Sequence, residues 1–375
     1  MIIKKQIMKY DINILNKYIA DGLVVKQDHP NLPISIYNYS RKCQYESLWD
    51  EVTINCRGLV LDKDGEVVAK PFAKFFNYEE LKGGKFKTSE IPNESFDVFE
   101  KMDGSLGILF NYEGEWIMAT RGSFTSEQAI KGMEMLKKLP YERFIENCTY
   151  LFEIIYKENR IVVDYDYEDL VLLAIIDNTD GYELDLYNVQ LEGICIAAIY
   201  ADAGFRVVKK YNGITDFEQL KGMIGNDAEG YVIKFKSGMR MKIKGDEYVR
   251  LHRILTNVTA RTVWEYLKED KPLDELIERV PDEFDKWLKQ TVSNLKYNAF
   301  QVRERAGKTY DYFRFGKYGD RYPEPTKKEF AEHLKQYVPP ILHPICFAMW
   351  DGKPYDHMIW KIVKPKHEKP FKNDN

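Results

Sequence analysis

The chain has 375 residues, enough for two domains, since single cores rarely grow past roughly 250–300 residues, and 44% hydrophobic with 30% charged content argues against disorder. The net charge of −4 excludes a protein that coats nucleic acid over its whole surface, yet its 55 Lys and Arg leave room for a local basic groove. Five scattered cysteines without a C-x-x-C pair argue against zinc or a disulfide framework, and the absence of an apolar membrane span or signal core makes the cytoplasm the expected location.

In chain order, 58–72 reads as a hairpin turning at Asp64-Gly65, and 107–120 as a second turning at Glu113-Gly114. An amphipathic helix is expected over 126–139. Runs 149–156 and 170–177 are rich in β-branched and aromatic residues and read as strands. A third hairpin joins 229–235 to 239–244 around Ser237-Gly238. From about residue 245 the period becomes helical, with helices expected over 246–269 and 282–306 and a capping box at Thr326 and Glu329. The expected fold class is α+β: a mostly antiparallel domain over 1–250, then a smaller all-α domain over 251–375, with the boundary within 245–260.

Lys101-Met102-Asp103-Gly104 carries the most chemistry. The Asp-Gly pair forces a tight turn at a strand end and presents Lys101 there. A lysine attacks phosphorus only as the neutral amine, and nearby cations or a metal favour that form. Lys242 and Lys244 alternate on one strand and so project from one face. Taken alone, K-x-D-G is a weak signal and reads first as a surface turn with a solvated lysine. Upstream lie Arg57 in Cys56-Arg57-Gly58 and the run Lys74-Phe75-Phe76-Asn77. Glu153 sits mid-strand among apolar neighbours, where an unpaired carboxylate is costly. Glu229-Gly230 then precedes Lys242 and Lys244.

This ordered set resembles the motifs of covalent nucleotidyltransferases, and more closely the RNA ligase 1 family of bacteriophages. Gly122-Ser123, Ser126-Glu127-Gln128-Ala129 and Asn159-Arg160-Ile161-Val162 complete the match, and Tyr37-Asn38-Tyr39 looks like the family's early nucleotide-contacting stretch. One departure is Arg121, where relatives are expected to carry lysine. The resemblance implies an ATP-grasp-like ligase domain and an ATP-dependent RNA ligase in RNA repair, in which Lys101 becomes lysyl-AMP. Arg57 and Lys74 would touch phosphates, Glu153 the ribose, and Lys242 and Lys244 the α-phosphate. Glu229 would hold magnesium or manganese, with Glu153 and Asp103 as further metal candidates. Tyr37 and Phe76 are candidates for nucleotide contact or for core packing. The implied partner is RNA with 5′-phosphate and 3′-hydroxyl ends, single-stranded or tRNA-like, bound by a monomer.

DNA ligases and GTP-dependent capping enzymes share the core motifs, but a β-barrel is expected after their K-x-K strand, whereas this chain turns helical. No G-x-x-x-x-G-K-[ST] loop or paired H-x-[ST] pattern is present, so the expected role is sealing ends prepared elsewhere. A catalytically silent RNA-binding module is the non-enzymatic alternative. In the helical part, basic residues including Arg314 and Lys317 interleave with Tyr310, Tyr312, Phe313 and Phe315. That pattern suits either single-stranded RNA or a core with a solvated charged face.

Overall fold

The computed structural model describes residues 8–82, 91–141, 144–191, 194–225, 228–246, 248–249, 258–274, 276, 285–317 and 325–365. The chain divides into two compact units, Met1–Leu255 and Thr256–Asn375.

The first unit mixes sheet and helix. An antiparallel sheet runs in the order Val24–Asp28, Ile34–Tyr39, Arg57–Asp62, Val67–Ala69. Its last hairpin turns where the sequence places it: Asp62 accepts from the amides of Asp64 and Glu66, and Gly65 takes φ +83°. A central five-stranded sheet follows the order Arg206–Val207, Asp169–Asp177, Cys148–Ile155, Ser105–Tyr112, Glu115–Ala119. The first of these pairings is parallel and the others antiparallel. A second five-stranded sheet runs Lys210–Tyr211, Phe96–Lys101, Gly230–Phe235, Arg240–Lys244, Phe76–Asn77, with only the last pairing parallel.

Two-residue alternation assigns each face of these sheets. Ile108 and Phe110 of the central sheet meet Ile34, Ile36 and Val60 of the four-stranded sheet. On the opposite face, Leu109, Tyr150 and Phe152 cluster with Leu136 of the helix Glu127–Leu136. Fully burying one such side chain is worth about 1.5–3 kcal/mol. The second five-stranded sheet covers its outer face with Val98, Ile233, Phe235, Met241 and Ile243. Its inner face carries Phe99, Lys101, Val232 and Arg240 into a space also lined by Leu106, Glu153 and Leu173 of the central sheet.

The second unit is helical. Its elements include Ala260–Lys268, Asp285–Asp311 with a π-helical continuation Tyr312–Lys317, Lys327–Tyr337, His343–Trp350 and Asp356–Ile362. Phe313, Phe330, Leu334, Ile345 and Ile359 form its core. The Thr326–Glu329 capping box is present, with both reciprocal bonds made. The single helix expected over 246–269 is not continuous: Thr259 caps a new helix, and Tyr248 is buried in the first unit. Residues 250–257 and 282–284, part of those expected helices, lie outside the described residues. Among the described residues no helix is long and apolar enough to cross a membrane.

Candidate active site

Backbone register builds the site. Lys101, at the end of its strand, pairs with Gly230, which pairs on its other side with Lys244. Gly230 has φ +146°, and a Cβ there would overlap the Ile243 carbonyl oxygen, so only glycine keeps this row intact. Glu229, one residue earlier, accepts from the Lys101 amine at 2.8 Å on one carboxylate oxygen and pairs with the Lys244 amine at 3.0 Å on the other. Its side chain is only 4% exposed. Burial opposes its charge, but Lys101 and Lys244 outweigh it and hold the carboxyl below the usual range. Lys242 lies two residues before Lys244 on the same strand, opposite Val232 and Asn77.

The turn after Lys101 is clasped from several directions. One oxygen of the buried Asp103 accepts the amides of Val162 and Val163, both at 2.8 Å. The other accepts the Tyr248 hydroxyl at 2.7 Å, and the Asp103 amide donates to the Tyr165 hydroxyl at 2.9 Å. Asp103 therefore anchors the loop. Three donors on its two oxygens, Val162, Val163 and Tyr248, account for its burial as a structural anchor. Gly104 donates its amide to Glu153 at 3.0 Å, and a Cβ on it would stand 2.7 Å from the Ile154 carbonyl oxygen. Burial pushes the Glu153 carboxyl up to about 8, with Lys101 opposing that rise and Glu229 adding to it. Ser105 exchanges hydrogen bonds with Asn159 at 3.2 and 3.0 Å, so the Asn159–Val162 segment holds this loop at both ends.

Lys101 and Glu153 open onto a cavity of about 220 Å³ whose lining includes Arg57, Phe72, Phe75, Phe99, Leu106 and Val232. Arg57 reaches it with its guanidinium 5.8 Å from the Phe75 ring centre. Three other sequence candidates are not brought there. Tyr37 packs with Leu15, Leu59 and Leu61 on the face of the four-stranded sheet turned away from the central sheet, which corrects its nucleotide reading to core packing. Phe76 pairs with Met241 and packs on the outer face of its sheet, a second correction. Its neighbour Phe75, which the sequence did not single out, takes the cavity wall. Lys74 places its ammonium 5.4–5.7 Å from the rings of Trp49, Phe76 and Tyr39 rather than along that cavity. Arg121 donates to the Tyr39 hydroxyl at 3.0 Å.

Sequence reasoning also missed Tyr165, Tyr248 and Glu183. Glu183 lies on the cavity wall, accepting from Lys234 at 2.9 Å and from Arg240. Among the described residues, no group of three or more His, Cys, Asp or Glu side chains is arranged to hold a metal ion.

In the helical unit, Phe313 is buried and Tyr310 packs against its core, whereas Tyr312 and Phe315 are exposed. The Arg314 guanidinium stands 5.3 Å from the Trp350 ring centre. The side chain of Lys317 lies outside the described residues.

A family model described as RNA ligase matches residues 55–248, just over half of the chain. The RNA ligase of Rhodothermus phage RM378 is 23% identical over 340 residues, covering 74% of this chain and 75% of that protein. A protein of Autographa californica nuclear polyhedrosis virus, assigned as a bifunctional polynucleotide kinase/RNA ligase, is 28% identical over 272 residues. That match covers 64% of this chain and 38% of the viral protein. A Thermovibrio ammonificans protein assigned as an RNA ligase is 29% identical over 212 residues, covering 53% of each chain. The chain thus spans about half or less of the length of these last two relatives. Among solved structures, an archaeal ATP-dependent RNA ligase matches over 92% of this chain and 96% of its own, at 15% identity and TM-score 0.47, a likeness that carries no functional weight. The family match, over the segment that holds Lys101, Glu153, Glu229 and Lys244, shows that this chain belongs to the RNA ligase family.

Proposed function

We propose that the protein is an ATP-dependent RNA ligase built on a nucleotidyltransferase fold and working through lysyl-AMP at Lys101. The observation that carries this reading is the Lys101–Glu229–Lys244 row beside a cavity with charged ends and apolar walls. The Lys101 amine attacks the α-phosphorus of ATP. A P–N bond forms, the bond to the bridging oxygen breaks, and pyrophosphate leaves with that electron pair. The amine gives its proton to solvent before attack. Glu229, held below the usual carboxylate range, orients the amine rather than storing that proton. Lys242, Lys244 and Arg57 place positive charge near the phosphates, which is most of what phosphoryl transfer requires. Glu153 faces the ribose hydroxyls.

AMP then passes to the 5′-phosphate of RNA, restoring Lys101. The RNA 3′-hydroxyl attacks that phosphate and expels AMP, making the phosphodiester.

A divalent ion fits here as Mg²⁺ commonly binds, through one or two carboxylates plus substrate phosphates. Glu153 and Glu229 are the carboxylates near Lys101 that would serve, and the ion would supply neutralisation of the departing pyrophosphate.

Protein labelled from α-labelled ATP, freed of nucleotide and mixed with 5′-phosphorylated single-stranded RNA, tests the reading. Label should move to the RNA 5′ end and then to free AMP as ends are joined. Label that stays on the protein would overturn it; transfer to DNA ends alone would make it a DNA ligase.

A further inference from the structure

Glu183 has no part in the reading above, yet it occupies a built position on the cavity wall. Arg240, its partner, lies four residues along the strand from Lys244, about 13 Å at the usual rise of an extended chain. Lys101 is in the Lys244 row, so Lys101 and the Glu183–Arg240 pair mark opposite ends of the cavity. That separation suits a nucleoside monophosphate with its phosphorus at Lys101. Between the two ends the walls are Leu106, Leu173, Val208 and Val232, with Phe72 and Phe75 nearby, which suits the faces of a purine. Both ends are polar, with Lys101 and Glu153 at one and Glu183 and Arg240 at the other.

We propose that Glu183 is the specificity-determining residue of this cavity and reads the 6-position of the purine ring. The inference rests on the nucleotide-binding part of the proposed function. An ionised carboxylate only accepts hydrogen bonds, and its two oxygens together offer about four lone-pair directions. Lys234 takes one and Arg240 another. The remaining capacity matches the 6-amino group of adenine, which donates. It repels the 6-oxo group of guanine, which accepts. Lys234 and Arg240, the latter 4.1 Å from the Phe72 ring centre, fix the carboxylate before the base arrives. A site built around a buried hydrogen bond discriminates far more sharply than an apolar one.

The test uses the full chain and three triphosphates: ATP, GTP and purine riboside triphosphate, which lacks the 6-amino group. Two readouts are taken, equilibrium binding to Lys101→Ala protein and label transfer to protein with an intact Lys101. Each is made with and without Glu183→Gln or Glu183→Ala. With Glu183 intact, ATP should lead both analogues by roughly tenfold or more. In Glu183→Ala the preference for ATP over the purine analogue should collapse toward unity. In Glu183→Gln, whose amide can also donate, GTP should gain relative to ATP. A merely structural Glu183 would weaken all three nucleotides alike, and unchanged ratios in both variants would overturn the proposal. ATP-selective binding without covalent labelling would refute the ligase reading and leave this one standing. Failure of the Glu183-intact protein to bind any of the three would refute both.

Discussion

The Tyr248 hydroxyl donates to the Asp103 carboxylate at 2.7 Å across 145 residues of chain, and the same ring lies 5.1 Å from the Lys244 amine. One tyrosine thus ties the loop after Lys101 to the strand that carries Lys244. Removing only the hydroxyl leaves a buried carboxylate one donor short, a cost of about 1–3 kcal/mol. Tyr248→Phe should therefore lower the unfolding midpoint and slow adenylylation more than it weakens ATP binding. Denaturation and single-turnover labelling of the same sample check both parts.

Gly230 is the tightest point of the row. Gly230→Ala forces a Cβ against the Ile243 carbonyl in a backbone region that side chains rarely adopt. The strand must shift, and with it the register that faces Lys101 to Lys244. The expected result is a loss of more than ~2 kcal/mol in urea unfolding, together with loss of lysyl-AMP.

Phe75 and Phe76 are adjacent and should behave oppositely. Phe76→Ala empties part of a core and should cost about 3–5 kcal/mol of stability. Phe75→Ala removes a cavity wall and should raise the KM for ATP with little change in unfolding. Similar stability losses for both would contradict the face assignment.

Glu153 sets a pH dependence whose sign follows from its environment. Its folded carboxyl titrates near 8 against an ordinary 4.5, so between those values the folded protein binds a proton that the unfolded chain does not. The contribution of Glu153 to stability is thus full below about pH 4.5 and is lost as pH rises through about 8. Glu153→Gln should remove that loss, making the variant less sensitive than the parent over this window. Glu229 has the opposite sign, its contribution being present above 4.5 and fading as pH falls through its lower folded value. Unfolding curves from about pH 2 to about pH 9 read both.

The parts of this molecule legible in its sequence are those encoded locally. The hairpins at Asp64-Gly65, Glu113-Gly114 and Ser237-Gly238 follow from turn residues that adopt positive φ where the chain reverses, Gly65, Gly114 and Gly238 among them. Lys101, Glu153, Glu229 and Lys244 stood out because each sits in a short ordered motif. The partners of Asp103 were hidden because Tyr165 and Tyr248 are 62 and 145 residues away, and no local pattern marks them. Phe75 and Phe76 are not told apart by pattern, because the strand Phe76–Asn77 has two residues, too few for alternation to reveal its faces. Tyr37 lies in a longer strand, but nothing local says which face of its sheet meets the central one. Glu183 pairs with Ile176 in an isolated bridge, outside any regular run that marks it in the sequence.

Lysyl-AMP is a covalent bond at one nitrogen, and peptide mapping after incubation with ATP and magnesium locates it. AMP should appear on the peptide bearing Lys101, linked through an acid-labile, base-stable phosphoramidate, and not on Lys101→Ala or Lys101→Arg protein. AMP on another residue, or equal labelling of the Lys101→Ala chain, would contradict it.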